Sequence, residues 1–519
     1  MDDDVAPPTL VSQRSDCADR ELGWQYEEEL EEPTSPLRVD DELLGYWHYR
    51  YAEPVPPGWF TWRKFWLFCG PGFLMSIAFV DPGNLESDLQ AGATSGTRLL
   101  WVLLWSTYLG LFIQVLSARL GIGTTKHLAE HCRAEYARPV SIFLWIVTEM
   151  AIIGSDIQEV IGSSIAIEVL TNGKVPLSIG VIISALAAFV FLFIERLGVR
   201  KLEAFFGMLI SIMCLCFGYM YFRVGVDQVQ VIKGLVVPHV EKKLMTQTLA
   251  IVGAIIMPHN LFLHSALVRS RTTVHGVTTR EASRYFALEA AIALTASLCI
   301  NVFVVSVFAK GFFGKSVKDL GLQNAGNYLG HHFGTTMKYV WGVGLLAAGQ
   351  SSTMTGTYSG QFVMQGFLDL HVKPWQRILI TRSISLVPTL LVAFLFSNSS
   401  YLDTLSQCIN VEQSLILPFI LITLLRFTSS GRIMKGLVNS TWMIILGTSG
   451  SVLIGGINFY FLLVGGGAVL PSAMLPHYGI LLVGCALYFG MLGYILFVPS
   501  VKDGRGRHAR IPLLDEAVE

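Results

Sequence analysis

The chain has 519 residues, 52% of them hydrophobic and only 14% charged, with a mean hydropathy of +0.53. A soluble globular protein carries about 25% charged residues, so this composition excludes an ordinary soluble domain and describes a polytopic membrane protein. The formal net charge of −1 is uneven: residues 1–55 hold 15 Asp/Glu against 4 Arg, a net of −11, which leaves +10 for the remainder.

The acidic segment contains Glu27, Glu28, Glu29, Glu31 and Glu32 together with Pro7, Pro8, Pro33 and Pro36. It has too little apolar content to fold alone, so residues 1–58 are expected to be a disordered cytosolic tail, solvated and carrying sorting signals. No cleavable signal peptide precedes the first apolar stretch, which is expected to act as its own insertion signal.

Twelve apolar stretches then follow, at 64–96, 98–122, 139–170, 176–195, 201–222, 245–270, 284–311, 336–368, 376–396, 402–425, 440–464 and 474–498. Each reaches the ~20 residues that a helix needs to cross the hydrocarbon core. The first is interrupted by Asp81-Pro82-Gly83-Asn84 and the sixth by Met257-Pro258-His259-Asn260. A mid-helix proline removes a hydrogen bond and clashes with the preceding turn, and the backbone it frees must find partners without help from water. An ionisable group placed at such a break is costly unless it is used. Two interrupted segments at matching places in two halves point to a transporter's binding site. Asp81 offers hard oxygen and charge for a dication; its structural alternative is a cap on the half-helix that follows. Asn84 adds a neutral amide oxygen, or serves as a turn residue. Met257 adds a soft thioether, which prefers transition ions to calcium or magnesium. Together they read as a transition-metal site, with His259 beside it as a proton relay or an orienting partner for Asp81.

In the third span, Asp156 and Glu159 are spaced i, i+3 and share a face; they are titratable groups that could couple metal entry to a proton. In the eighth, Gly344, Gly349, Gly356 and Gly360 permit close helix packing. In the ninth, Arg382 either pairs with the acidic groups or snorkels toward the cytosol. Eight scattered cysteines with no C-x-x-C read as small buried hydrophobes rather than metal ligands.

Spans 1–5 (residues 59–238) and 6–10 (239–428) each open with a broken helix. Because five is odd, the second unit enters the membrane the opposite way. The fold class expected is an all-α membrane protein of twelve transmembrane helices: a leucine-transporter-like inverted repeat of five plus five, discontinuous helices 1 and 6, and two extra helices at 429–499. Lys and Arg concentrate in the loops after spans 2, 4, 6, 8 and 10 (Arg133, Arg200, Arg269, Arg377 and Arg432 among them) and in the tail 500–519. The positive-inside rule puts these loops and both termini in the cytosol. Asn398-Ser399-Ser400 then falls on the lumenal side, where a glycan could attach, although the short loop disfavours it.

Three long motifs resemble the Nramp family of proton-coupled divalent-metal transporters. Gly72-Phe73-Leu74 through Asp81-Pro82-Gly83-Asn84 to Asp88-Leu89-Gln90-Ala91-Gly92 is similar to its first span. Met257-Pro258-His259-Asn260 through His264-Ser265 is similar to its sixth. Gly349-Gln350-Ser351-Ser352-Thr353-Met354-Thr355-Gly356 through Gly360-Gln361-Phe362 is similar to its eighth. The stretch Gly154 to Gly162 is similar to the plant endomembrane branch. The resemblance implies that the carbonyls of Ala78 and Ala254 join Asp81, Asn84 and Met257 as metal ligands. It also implies that Asn410 joins when the site is occluded, and that protons pass from Asp81 through Asp156 and Glu159. Glu412 and Ile416 depart from the family's tenth-span pattern. A branch that moves aluminium or magnesium lacks the Met257 pattern.

The function expected is proton-coupled transport of Mn²⁺ and Fe²⁺, with Cd²⁺, Co²⁺ or Zn²⁺ as further passengers, toward the cytosol by alternating access. Metal and proton are cargo and coupling ion; no cofactor is expected. The partners are these ions and the lipid bilayer, with no nucleic acid, and a monomer is a reasonable state. The vacuolar or endomembrane system is the first expectation for location, the plasma membrane the second. A non-transporting metal sensor is the alternative, although such sensors carry a large output domain and only a short tail follows the last span. An amino-acid carrier of the same architecture would need free half-helix N-termini for a substrate carboxylate; Asp81 facing Met257 suits a cation. No nucleophile–base pair or H-E-x-x-H marks an enzyme.

Overall fold

The computed structural model describes residues 60–124, 126–195, 199–239, 241–271, 278–314, 320–369, 399–464 and 476–498, with isolated positions between 376 and 391. Arg382, Asn398, Cys17 and both tails lie outside the described residues. Among those described, every regular element is a helix and there is no strand.

The first span is three helices, α1 (Trp62–Phe68), α2 (Pro71–Ile77) and α3 (Pro82–Ser95). Then come α4 (Leu100–Gly123), a short α5 (Leu128–Glu135), α6 (Arg138–Leu170), α7 (Leu177–Glu195), α8 (Val199–Val224) and a loop helix α9 (Gln228–Val236). The sixth span is α10 (Met245–Ile255) and α11 (Pro258–Leu267). It is followed by α12 (Thr279–Phe312), loop helix α13 (Leu322–Phe333), α14 (Thr335–Leu368), α15 (Ser399–Thr428), a one-turn α16 (Gly431–Met434), α17 (Thr441–Val464) and α18 (Pro476–Phe497). Seven of the described helical stretches are long and apolar enough to cross a membrane. Their outward residues, such as Leu215 at 73% and Phe222 at 76% exposure, present hydrocarbon to hydrocarbon. Between the two broken spans lie α4, α6 and α8, each among those seven, and the apolar helix α7.

Both expected breaks are present, and each places proline at the first helical position of the segment that follows, where a missing N–H costs nothing. Pro82 opens α3 and Pro258 opens α11. A third break was not expected. Gly70 has a φ of 143°, and Pro71 opens α2 behind it. Only glycine adopts that backbone readily. The buried Glu289 carboxylate on α12 accepts from the Gly70 and Phe73 N–H groups and so caps α2. The loop helices α5, α9 and α13 were also missed, because short amphipathic turns leave little trace beside 20-residue apolar runs.

The glycines of α14 act as expected where the structure speaks. A Cβ on Gly356 would sit 2.8 Å from Asp156 Oδ1, and one on Gly344 would meet Phe217 at 2.8 Å. One on Gly349 would overlap Ser163 on α6. This lets α14 pack tightly on the acidic face of α6. The cysteines divide. Cys69, Cys132 and Cys485 are buried as expected, whereas Cys299 and Cys408 are exposed on α12 and α15. On a spanning helix the exterior is lipid, so an apolar residue gains nothing by turning inward.

The two helices outside the repeat dock through a backbone defect. Pro418 lies inside α15 and cannot donate to the carbonyl of Ser414 four residues earlier. That carbonyl instead accepts from Asn458 Nδ2 on α17 at 2.8 Å, and the Leu415 carbonyl accepts from the Tyr488 hydroxyl on α18 at 2.8 Å.

Candidate metal site

Asp81 is the N-cap of α3: its Oδ1 accepts from the Asn84 N–H at 2.8 Å. The cap is thus present and leaves the second oxygen, Oδ2, buried with no hydrogen-bond partner. The Asn84 amide nitrogen also donates to Asp81 Oδ1 at 2.6 Å, to the Ala254 carbonyl at 2.9 Å and to the Ala78 carbonyl at 3.4 Å. Three oxygens from two broken helices thus converge on one partly positive NH₂ group. Asn84 Oδ1 is buried without a partner. Met257 is the N-cap residue of α11 and is buried, 3% exposed.

Buried side chains on neighbouring helices also reach backbone carbonyls at and beside the breaks, as an apolar interior favours. Ser297 Oγ donates to the Ser76 carbonyl at 2.8 Å, Asn301 Nδ2 to Phe79 at 2.9 Å and Gln247 Nε2 to Ser87 at 2.8 Å. Asn410 Nδ2 donates to Gly83 at 3.1 Å. Glycines bring the backbones together: a Cβ on Gly253 would overlap the Asn410 carbonyl, and one on Gly162 would overlap Pro82.

Asn410 is at the site, but its amide oxygen is engaged. It accepts from Gln158 Nε2 at 2.9 Å, and the same nitrogen reaches the Ser406 carbonyl and hydroxyl, each at 2.9 Å. Asp156 and Glu159 are buried on α6 against Gly356, with Ser155 Oγ donating to Glu159 Oε1 at 3.1 Å. His259 and His264 are both buried; His259 Nδ1 and both ring nitrogens of His264 have no hydrogen-bond partner. Glu412 faces α6, its Oε2 being 3.5 Å from where a Cβ of Gly154 would stand.

Sequence reasoning missed Gln158, Gln247, Ser297 and Asn301. Each was visible as a polar residue within an apolar span, but nothing in the sequence says which group it serves. It also passed over Glu86, whose Oε1 accepts from Gln90 at 2.8 Å and whose Oε2 accepts from the Leu322 N–H at 3.1 Å, tying α3 to α13.

Two discontinuous helices meeting at a buried carboxylate, inside a helical membrane bundle, define a secondary-transporter architecture. Residues 72–464 match the family described as natural resistance-associated macrophage protein-like. The chain is 54% identical over 387 residues to "Metal transporter Nramp3.2" of Populus trichocarpa, covering 73% of this chain and 76% of that one. It is 53% identical over 382 residues to "Metal transporter Nramp4" of Arabidopsis thaliana, covering 72% and 75%. Against the Eremococcus coleocola manganese transporter the structures agree with a TM-score of 0.74 at 28% identity, over 86% and 95% of the two chains. The nucleobase-cation symporter Mhp1, at 13% identity and a TM-score of 0.52, shares the fold. The chain belongs to the Nramp family.

Proposed function

We propose that this protein carries divalent transition-metal ions across its membrane by alternating access, with Mn²⁺ and Fe²⁺ as cargo and protons as the coupling ion. The observation that carries this reading is the convergence of Asp81 Oδ1, Ala78 O and Ala254 O on the Asn84 amide nitrogen. The nitrogen stands where a cation would be held by the same oxygens. Rotation of the amide would replace the NH₂ group with Oδ1, turning a hydrogen-bonded cluster into an oxygen cage. Asp81 Oδ2, which has no partner, supplies further charge. Met257 supplies the thioether that favours transition ions over Ca²⁺. Relatives named metal transporters and a manganese transporter of the same fold support the cargo class.

Asp156 and Glu159 are the proton acceptors in this reading, and His259 relays between them and Asp81. Metal entry and proton transfer share the Asp81 charge, so an arriving dication displaces a proton toward α6. Release is into the cytosol, from a vacuolar or other endomembrane store, with both termini cytosolic and the monomer as the working unit.

The test is uptake of Mn²⁺, Fe²⁺ and Ca²⁺ into proteoliposomes under an inward proton gradient, with the intact protein and Met257→Ala. Mn²⁺ entry with protons, and Ca²⁺ entry gained only by the variant, supports the reading. Metal binding without passage in either protein would sink transport and favour a sensor.

A further inference from the structure

A cavity lies away from the metal site, among α15, α17 and α18. Its volume is about 840 Å³, within the range of small-molecule sites. Its walls are mostly apolar: Pro418 and Ile422 on α15, Val452 and Phe459 on α17, Phe489 and Leu492 on α18. Three of its lining residues are glycines, Gly455, Gly456 and Gly493. A Cβ on Gly456 or Gly493 would meet nothing within 4 Å, and one on Gly455 would only graze Phe489 at 4.0 Å. At Gly162, Gly253 and Gly349 glycines bring helices into contact; these three leave space open.

One end of the cavity is polar. It holds Arg426, Ser429 and Ser430, where α15 finishes and the chain leaves the apolar zone. The guanidinium is fixed in place. Nη1 donates to the Ile495 carbonyl at 2.7 Å, Nη2 donates to the Val498 carbonyl, and the group stacks over the Tyr136 ring at 5.3 Å. Two carbonyls do not use up the five N–H donors of an arginine, and its charge has no carboxylate among these partners. In a bilayer, apolar walls alone select nothing, because lipid tails are as apolar as the groove. Selection must come from the charged end, and a fixed guanidinium flanked by two hydroxyls suits a phosphate.

We propose that this groove is a binding site for one anionic phospholipid, its acyl chain along Gly455, Gly456 and Gly493 and its headgroup phosphate at Arg426, Ser429 and Ser430. The occupant lies behind the Pro418 defect and braces α17 and α18 against α15. That helix also carries Asn410, so occupancy couples to the helix that must move during transport.

The test uses the full chain, purified, stripped of lipid in detergent and examined by native mass spectrometry and thermal melting. Phosphatidylglycerol, phosphatidylcholine and inorganic phosphate are added separately. The expected result is one phosphatidylglycerol retained per chain, with a rise in melting temperature that neither other addition gives. Gly456→Leu and Gly493→Leu, on facing helices, should each fold as the parent does and lose retention at least tenfold by filling the groove. Ser429→Asp with Ser430→Asp should lose it by repelling the headgroup. Equal retention of phosphatidylcholine, an equal melting shift with inorganic phosphate, or unchanged retention in the leucine variants would overturn the proposal.

Discussion

The amide nitrogen of Asn84 on α3 donates to the carbonyl of Ala254 at the end of α10, 2.9 Å away. With the bond from Gln247 on α10 to the Ser87 carbonyl on α3, this one joins the two discontinuous spans. It also satisfies a carbonyl that Pro258 leaves without a helical donor.

Asn84→Ala is expected to weaken Mn²⁺ binding while leaving the fold assembled. A dipolar oxygen on an ion is comparable to a hydrogen bond to a charged group, about 1.5–3 kcal/mol, or roughly 10- to 100-fold in affinity. Isothermal titration of the purified variant would measure it. An affinity equal to the parent's would remove Asn84 from the ligand set.

Gln158→Leu is expected to change the transport cycle in a particular direction. For Asn410 to turn its oxygen to a bound ion, it must leave the Gln158 amide. That bond is worth about 0.5–1.5 kcal/mol net. Its removal should tighten the occluded complex, so KM for Mn²⁺ falls about 2- to 10-fold and maximal rate falls with it. A raised KM would show instead that Gln158 serves the metal directly.

Gly253→Ala should damage assembly rather than chemistry. The added methyl would overlap the Asn410 carbonyl, forcing α10 from α15. Overpacking of this kind costs about 1–3 kcal/mol, visible as a lower melting temperature and reduced yield of monodisperse protein. A melting point matching the parent's would mean that the two helices separate without loss.

Asn458→Leu tests the docking of α17. Asn458 is fully buried and its Nδ2 serves the Ser414 carbonyl. A buried acceptor left unmet costs about 1–3 kcal/mol. The melting temperature should fall; because Ser414 lies one helical turn from Asn410 on α15, KM for Mn²⁺ should rise alongside, and an unchanged melting temperature would mean that the Asn458 bond does not hold α17 in place.

Outside the membrane, His131 on α5 carries an acid sensitivity. Burial pushes its pKa down from 6.5 to about 4, against the opposing pull of Glu135 and Glu130. The unfolded chain therefore binds a proton at this position below pH 6.5 that the folded chain refuses until about pH 4. Stability should rise with pH through that window and be lost on acidification, by up to about 3 kcal/mol from this residue. Melting curves from pH 7 to 5 should show a shallower decline in His131→Gln. An identical decline would place the sensitivity elsewhere.

The sequence alone determined the membrane class, the helical fold and the location of both breaks. These follow from run length and from the chemistry of proline, which act locally and leave a local mark. Asp81, Asn84 and Met257 were legible for the same reason: a carboxylate, an amide and a thioether at two prolines stand out in apolar runs. The hinge at Gly70 was half visible as a Gly-Pro pair, but its cap, Glu289, is 219 residues away in the chain. Only the tertiary structure decided which carbonyl each buried amide serves, that the Asn410 oxygen is held by Gln158, and that Pro418 is the seat of α17 and α18. Those choices depend on which helices lie side by side. Hydrogen bonds between distant segments are set by packing, and packing has no period in the sequence.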